Sequence, residues 1–250
     1  MNKPYIIAEL SANHNNELSI AKKTIDAIAK TGANAIKVQT FTADSISMDI
    51  DNEYFGPLKN GPWKGIRPYD LFSEAALPYK WHYEMQELAN SLNLDFFSSP
   101  FDINAVDFLE KLNVPRYKIA SFEINDIPLI RYAASKKKPM IISTGVASEM
   151  DIKEAIQACH LEKNFDITLL KCTSEYPASY EDSNLNKMID FKNRFGVDFG
   201  LSDHTMGSDV AVAATLLGAK VIEKHFILDR SLGGPDSKFS MEPIEFKAMV

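Results

Sequence analysis

Gly200-Leu201-Ser202-Asp203-His204-Thr205, followed further on by Glu223-Lys224-His225-Phe226, is the stretch on which the reading of the fold turns. Each piece ends a short apolar run and carries a histidine at its tip. Side chains alternate faces along an extended segment. Ser202 and His204 therefore share one face, and Glu223 and His225 share one face of the next. Similar tips occur earlier, at Ala8-Glu9, Ile36-Lys37-Val38-Gln39, Tyr117-Lys118-Ile119-Ala120-Ser121 and Ile141-Ile142-Ser143-Thr144-Gly145. Strand ends that keep presenting polar groups predict parallel strands opening onto one pocket.

Outward from these tips, β-rich runs alternate with helical patterns. Strands are expected over Tyr5–Leu10, Ala35–Thr40, Asp95–Ser99, Tyr117–Ala120, Met140–Ser143, Ile167–Lys171, Phe199–Ser202 and Val221–His225. A helix is expected from a Ser19 cap to Thr31, with Ile20, Thr24, Ile25, Ile28 and Ala29 on its apolar face and Gly32 as its stop. Pro78 opens the next, through Asn90. Others are expected over 103–112, 126–135, 148–160 (capped by Ser148), 184–195 and 208–217, and residues 242–250 begin an eighth. Residues 41–77 break the rhythm; they are rich in Asp, Gly, Pro and aromatics and too long for a plain connection. Eight β-then-α units in 250 residues predict one α/β domain, a (β/α)8 TIM barrel spanning residues 1–250. An open doubly wound sheet would more often carry a glycine-rich turn after its first strand. Ser11-Ala12-Asn13-His14-Asn15 is no such turn.

Composition narrows the function. The chain is 45% apolar, enough for a buried core, and its net charge of −7 argues against broad nucleic-acid or anionic-membrane binding. A local cationic pocket remains compatible with that balance. No run of about 18 apolar residues occurs, and the N-terminus lacks a charged-then-apolar signal pattern. Cys159 and Cys172 make no disulfide framework and lack metal-ligand spacing, which fits a reducing cytoplasm.

The tips carry the chemistry. His204 and His225, on adjacent strand ends, fit a metal site with open positions, against the alternative of two structural histidines. Glu9 fits a third ligand, a general base or an inner-face salt bridge to Lys37. Asn13 and His14 are weaker candidates of the same kind. Lys37 and Lys118 would point into the barrel mouth, where a lysine needs an anion, either a ligand or a structural carboxylate. Ser99, Ser121, Ser143 and Ser202 could ring that anion with hydroxyl donors or cap local turns. Asp236, in Gly233-Gly234-Pro235-Asp236-Ser237-Lys238-Phe239-Ser240, fits a closing loop or a plain acidic turn. Tyr176-Pro177 would pack on a sugar or shape its turn. His82 and His160 fall in helical patterns and read as structural or surface residues.

Taken together, Ile7-Ala8-Glu9 with Asn13-His14, Lys37-Val38-Gln39-Thr40, Ser98-Ser99-Pro100-Phe101, Tyr117 to Glu123, Ser143-Thr144-Gly145, Cys172-Thr173 with Tyr176-Pro177, and the two opening stretches resemble the sialic acid synthase family. The match runs from first strand to last. Glu9 to His14, Gln39 to Ser45, the Trp63–Leu71 insert leading to Pro78-Tyr79-Lys80-Trp81-His82, and Asp236 to Ser240 are most similar to the pseudaminic acid-forming branch. Where the N-acetylneuraminate branch would have a histidine after the Pro-Asp pair, Ser237 stands.

The resemblance implies a metal-dependent condensation of phosphoenolpyruvate with an open-chain N-acetylated amino sugar, releasing phosphate and leaving a nine-carbon 2-keto acid. It implies that His204 and His225 bind a divalent metal (Mn2+, Mg2+ or Co2+). Lys37, Ser99, Lys118, Ser121, Ser143 and Ser202 would hold phosphoenolpyruvate. Glu123, Tyr176 and Asp236 would face the sugar, and Glu9 would sit beside the metal and the reacting carbons. The family usually continues into a small antifreeze-like domain that lends an arginine to the partner's site in a homodimer. This sequence ends at Val250, so the barrel alone is expected to fold but to be impaired in activity. Neuraminate- or legionaminate-type sugars are the alternative substrates. A class I aldolase with a Schiff base on Lys118 or Lys171 is a rival reading, as is a non-enzymatic sugar-binding barrel.

Overall fold

The computed structural model describes residues 3–61 and 63–250. Eight parallel strands close in sequence order: β1 (Tyr5–Glu9), β2 (Ala35–Thr40), β3 (Asp95–Pro100), β4 (Tyr117–Ile119), β5 (Met140–Ser143), β6 (Ile167–Cys172), β7 (Asp198–Asp203) and β8 (Val221–His225). The expected TIM barrel is the observed fold, and β2, β5 and β8 have the bounds expected of them. Closure pairs the first strand with the last, setting Glu9 opposite His225 and, on its other side, Lys37. Ser202 lies opposite Glu223 and Asp203 opposite Lys224.

Ten α-helices are described, with the longer ones packed around the barrel: α1 (Leu18–Ala29), α2 (Ala43–Ile46), α3 (Pro68–Ala75), α4 (Tyr79–Ser91), α5 (Ile103–Lys111), α6 (Ile127–Ser135), α7 (Glu149–Leu161), α8 (Asn186–Phe195), α9 (Asp209–Leu216) and α10 (Pro243–Met249). The first helix buries Ala21, Thr24, Ile25 and Ile28, a stripe at helical spacing. Each fully buried isoleucine contributes about 1.5–3 kcal/mol. Its expected Ser19 cap is a correction: Glu17 holds the cap position without a side-chain bond, and Ser19 lies in the first turn. Ser148 does cap α7. Its hydroxyl accepts from the Asp151 N–H at 3.2 Å, and the Asp151 carboxylate accepts from the Ser148 N–H at 2.7 Å. Pro78 is the cap of α4 rather than its first residue. The irregular 41–77 stretch contains the two helices α2 and α3, which were not expected.

Gly200 is required by the barrel wall. A Cβ there would stand 2.2 Å from the Val221 carbonyl oxygen and 2.8 Å from Leu170 Cδ2. Among the described residues, no helix is long and apolar enough to cross a membrane.

Candidate active site

Strand alternation decides what enters the barrel. Val38 and Ile36 are buried in the hydrophobic core, while Lys37 turns inward to a polar cluster. Its ammonium lies 2.6 Å from Glu9 Oε2 and 3.9 Å from Glu223 Oε1, and it donates to Ser99 Oγ at 3.3 Å. Of the three readings open for Glu9, the inner-face salt bridge is the contact present. Lys118 reaches the same Glu223 oxygen at 3.7 Å, and Ser202 donates to it at 3.1 Å. Glu223 is therefore the hub of two lysines and a serine. Sequence reading missed it, although its position two residues before His225 on the same face was the available signal.

Burial and charge tune these groups. Burial would raise the Glu223 carboxyl, but Lys118, Lys37 and Ser202 outweigh it and hold the group ionised. Glu9 is pushed up to about 7, by burial first and by Glu223 second, against the pull of Lys37. Burial lowers Lys118, although Glu223 supports its charge. Burial opposes the charge of Lys37 too, yet Glu223 and Glu9 prevail and raise it. Two lysines thus face one firmly ionised carboxylate and one that is readily neutralised. Such a cluster can take up an anionic ligand, in a chain whose net charge is −7.

The hydroxyls divide. Ser99 and Ser202 join the lysine–carboxylate cluster. Ser121 Oγ accepts from the Gly145 N–H at 3.1 Å and keeps its own proton to donate. Gly145 permits that approach, since a Cβ would stand 2.1 Å from Ser174 Oγ and 2.8 Å from Ser121 Oγ. Ser143 Oγ and Ser174 Oγ are buried without a hydrogen-bond partner. Ser174 was not anticipated.

At the other side of the mouth, the His204 and His225 rings lie 5.3 Å apart at 64°. His204 Nδ1 is 2.8 Å from the Thr173 carbonyl oxygen. A carbonyl only accepts, so Nδ1 carries the proton and Nε2 presents its lone pair. Burial drives His225 well below the usual imidazole range, with His204 and Lys37 adding to it. Its Nδ1 makes no hydrogen bond and lies 4.0 Å from Asp236 Oδ2. Burial opposes the charge of His204, but Cys172, the Thr173 carbonyl and Glu223 prevail and raise it. A neutral imidazole is a suitable divalent-metal ligand; His225 is already held in that form, and a cation would have to displace a proton to use His204. Among the described residues, no group of three or more His, Cys, Asp or Glu gathers as a metal cage. The two histidines fit a site that leaves most coordination positions to water or substrate.

Tyr176 closes this side, its ring 4.3 Å from His204 and 5.0 Å from Phe239, which lies 5.0 Å from His225. Phe239 was not singled out from sequence. Asp236 is buried, accepts from the Ala12 N–H at 3.3 Å, and is raised by that burial. Glu123, in a 3-10 turn over Ser121–Glu123, is raised by burial to about 7, partly opposed by Lys118.

Three expectations change. Both nitrogens of His14 are engaged, Nε2 3.3 Å from the Ala75 carbonyl and Nδ1 accepting from the Asn16 N–H at 3.1 Å, so neither is free for a metal. Asn13 spends its amide nitrogen on the Phe226 carbonyl and Ser240 Oγ, pinning the loops after β1 and β8 together. Lys171 lies on the outer face of β6 and donates to the Cys172 carbonyl at 2.9 Å and Thr173 Oγ1 at 2.8 Å, which removes it as an interior amine. His82, as expected, is structural: it is fully buried, with Nε2 2.8 Å from the Thr40 hydroxyl.

Comparison with known proteins agrees with this arrangement. A pseudaminic acid synthase from Helicobacter pylori is 49% identical over 247 residues, covering 99% of this chain and 72% of that protein. An N,N'-diacetyllegionaminic acid synthase from Legionella pneumophila is 41% identical over 251 residues, covering 98% and 70%. The crystal structure of an N-acetylneuraminic acid synthetase from Leptospira borgpetersenii, in complex with citrate, superposes with a TM-score of 0.87 at 33% identity, covering 99% of this chain and 81% of that one. The NeuB family model matches residues 24–250, and the chain belongs to that family.

Proposed function

We propose that the chain acts as a pseudaminic acid synthase, condensing phosphoenolpyruvate with 2,4-diacetamido-2,4,6-trideoxy-L-altrose to give pseudaminic acid and phosphate. One observation carries the reading: two interior lysines converge on Glu223 beside a pair of facing imidazoles. The likeness to pseudaminic acid synthases at 47–49% identity, against 39–41% for legionaminic acid synthases, supports this sugar over its alternatives. The described residues are read as one catalytic barrel.

The nucleophile is C3 of the enol phosphate and the electrophile is the sugar aldehyde. A new C–C bond forms, water adds at C2, and phosphate leaves from C2. Lys37 and Lys118 supply positive charge to a substrate bearing both carboxylate and phosphate. Ser99, Ser121, Ser143 and Ser202 orient it through hydroxyl donors, holding C3 toward the histidine side of the mouth. Glu9, with a pKa near 7 and in contact with Lys37, is suited to hold or release a proton there. Glu123, Tyr176 and Asp236 line the sugar side. His204 and His225 would hold a divalent metal, which when bound polarises the aldehyde and organises the water.

An interior lysine also invites the Schiff-base reading, and here Lys118 is the only one of the two named lysines inside the barrel. Its Nζ donates to the Ile119 carbonyl at 3.2 Å. Nothing in the imine chemistry uses the imidazole pair, so the condensation accounts for more of the site. Phosphate release from phosphoenolpyruvate, measured over a panel of amino sugars, tests the reading. Release is expected with the 2,4-diacetamido altrose sugar. Release with N-acetylmannosamine alone would overturn the assignment, as would borohydride trapping of a pyruvate adduct on Lys118.

A further inference from the structure

Asp203 and Lys224 are the residues that strand alternation turns away from the pocket. Asp203 separates Ser202 from His204, and Lys224 separates Glu223 from His225. They are direct register partners across β7 and β8. Both are buried, at 3% and 1% exposed, and their side-chain hydrogen bonds go to each other and to Thr205. Lys224 Nζ lies 2.6 Å from Asp203 Oδ2 and donates to the Thr205 carbonyl at 2.7 Å. The other carboxylate oxygen, Oδ1, accepts from the Thr205 N–H at 2.9 Å and from its hydroxyl at 2.7 Å. The residues just before and just after His204 are therefore both tied to one ammonium, and that ammonium stands one residue before His225.

A buried ion pair rarely stabilises a fold more than apolar residues of the same volume. What it does enforce is register. Sliding β8 by one residue past β7 would strand a buried charge and turn His225 to the outer face.

We propose that Asp203 and Lys224 are a positioning couple that sets the spacing of His204 and His225, and through it the affinity of that pair for a divalent cation. The inference rests on the metal-ligand reading of the two histidines.

The test uses Asp203→Asn/Lys224→Met, which removes both charges and keeps an acceptor for Thr205. Calorimetric titration with Mn2+ is expected to give affinity about 10- to 100-fold weaker than the parent chain, the range seen when groups that orient metal ligands are lost. Phosphoenolpyruvate affinity is expected to stay within about twofold, because Lys37 and Lys118 are untouched. Lys224→Arg keeps the charge and guards against a double variant that does not fold. Its planar guanidinium does not reproduce the compact contact to both Asp203 and Thr205, so Mn2+ affinity is expected to fall about 3- to 10-fold. Parent-like Mn2+ affinity in whichever variants fold would overturn the inference while leaving the metal site standing. Failure of the parent to bind Mn2+, or parent-like binding by His204→Ala and His225→Ala, would instead remove the metal reading itself and the inference with it.

Discussion

His204 is oriented before any ligand arrives, because its Nδ1 proton is committed to Thr173. His204→Ala and His225→Ala should each abolish phosphate release while the far-ultraviolet circular dichroism stays that of the parent. Retained turnover in both variants would leave the histidine pair without a catalytic role. Glu9 offers a pH test. Its folded pKa, near 7, is raised above the ordinary 4.5, so the folded chain holds a proton that the unfolded chain releases. The stability this lends is fully present below about pH 4.5 and is lost as pH rises through 7. Glu9→Gln should flatten the dependence of the urea midpoint on pH across that window; an unchanged slope would show that Glu9 stays ionised. At this scale the sequence was readable wherever one strand sufficed. Lys37 and Lys118 were placed inside from alternation alone. Alternation also puts Glu223 on the His225 face, but its role as the hub was not legible, because that comes from three different strands converging on one oxygen.

Among the elements, legibility followed local chemistry. Ser148 is legible as a cap from sequence, and with Asp151 it forms a capping box four residues long. Ser148→Ala should cost about 1 kcal/mol, read from thermal or urea unfolding. Ser19 offered the same residue type without the same backbone, and the cap lies two residues earlier, at Glu17. The α2 and α3 helices were obscured by the Pro and Gly around them, and neither is long enough to show a clear apolar period. Gly200 is the element-scale constraint of greatest consequence. Gly200→Ala drives a methyl against the Val221 carbonyl of the neighbouring strand. It should destabilise by about 1–3 kcal/mol, and an equally stable variant would mean that β7 and β8 can spread. Since those strands carry the histidines, Mn2+ binding should weaken along with stability.

Over the whole molecule, the eightfold alternation made the barrel readable, since no other common arrangement of parallel strands consumes that many units so evenly. The mouth was less readable. Tyr176, Phe239 and the two histidines meet because loops after β6 and β8 fold across the opening, and loop paths have no period to read. A ligand that binds only the folded chain stabilises all of it. Mn2+ at a hundred times its dissociation constant should add about 2.7 kcal/mol, raising the melting temperature by about 5–10 °C. A chelator should reverse the rise, and His204→Ala should show none.

The pairing of β1 with β8 has a consequence for synthesis. Glu9 leaves the ribosome long before His225, its register neighbour across the closing seam. A nascent chain ending at β7 would hold Lys37, Lys118 and His204 but have nothing to close against. Its β1 edge would stay open, without the partner that completes the site. The site is therefore completed in one step, when β8 docks, and translation products that lack β8 should be inert and prone to pair edge to edge.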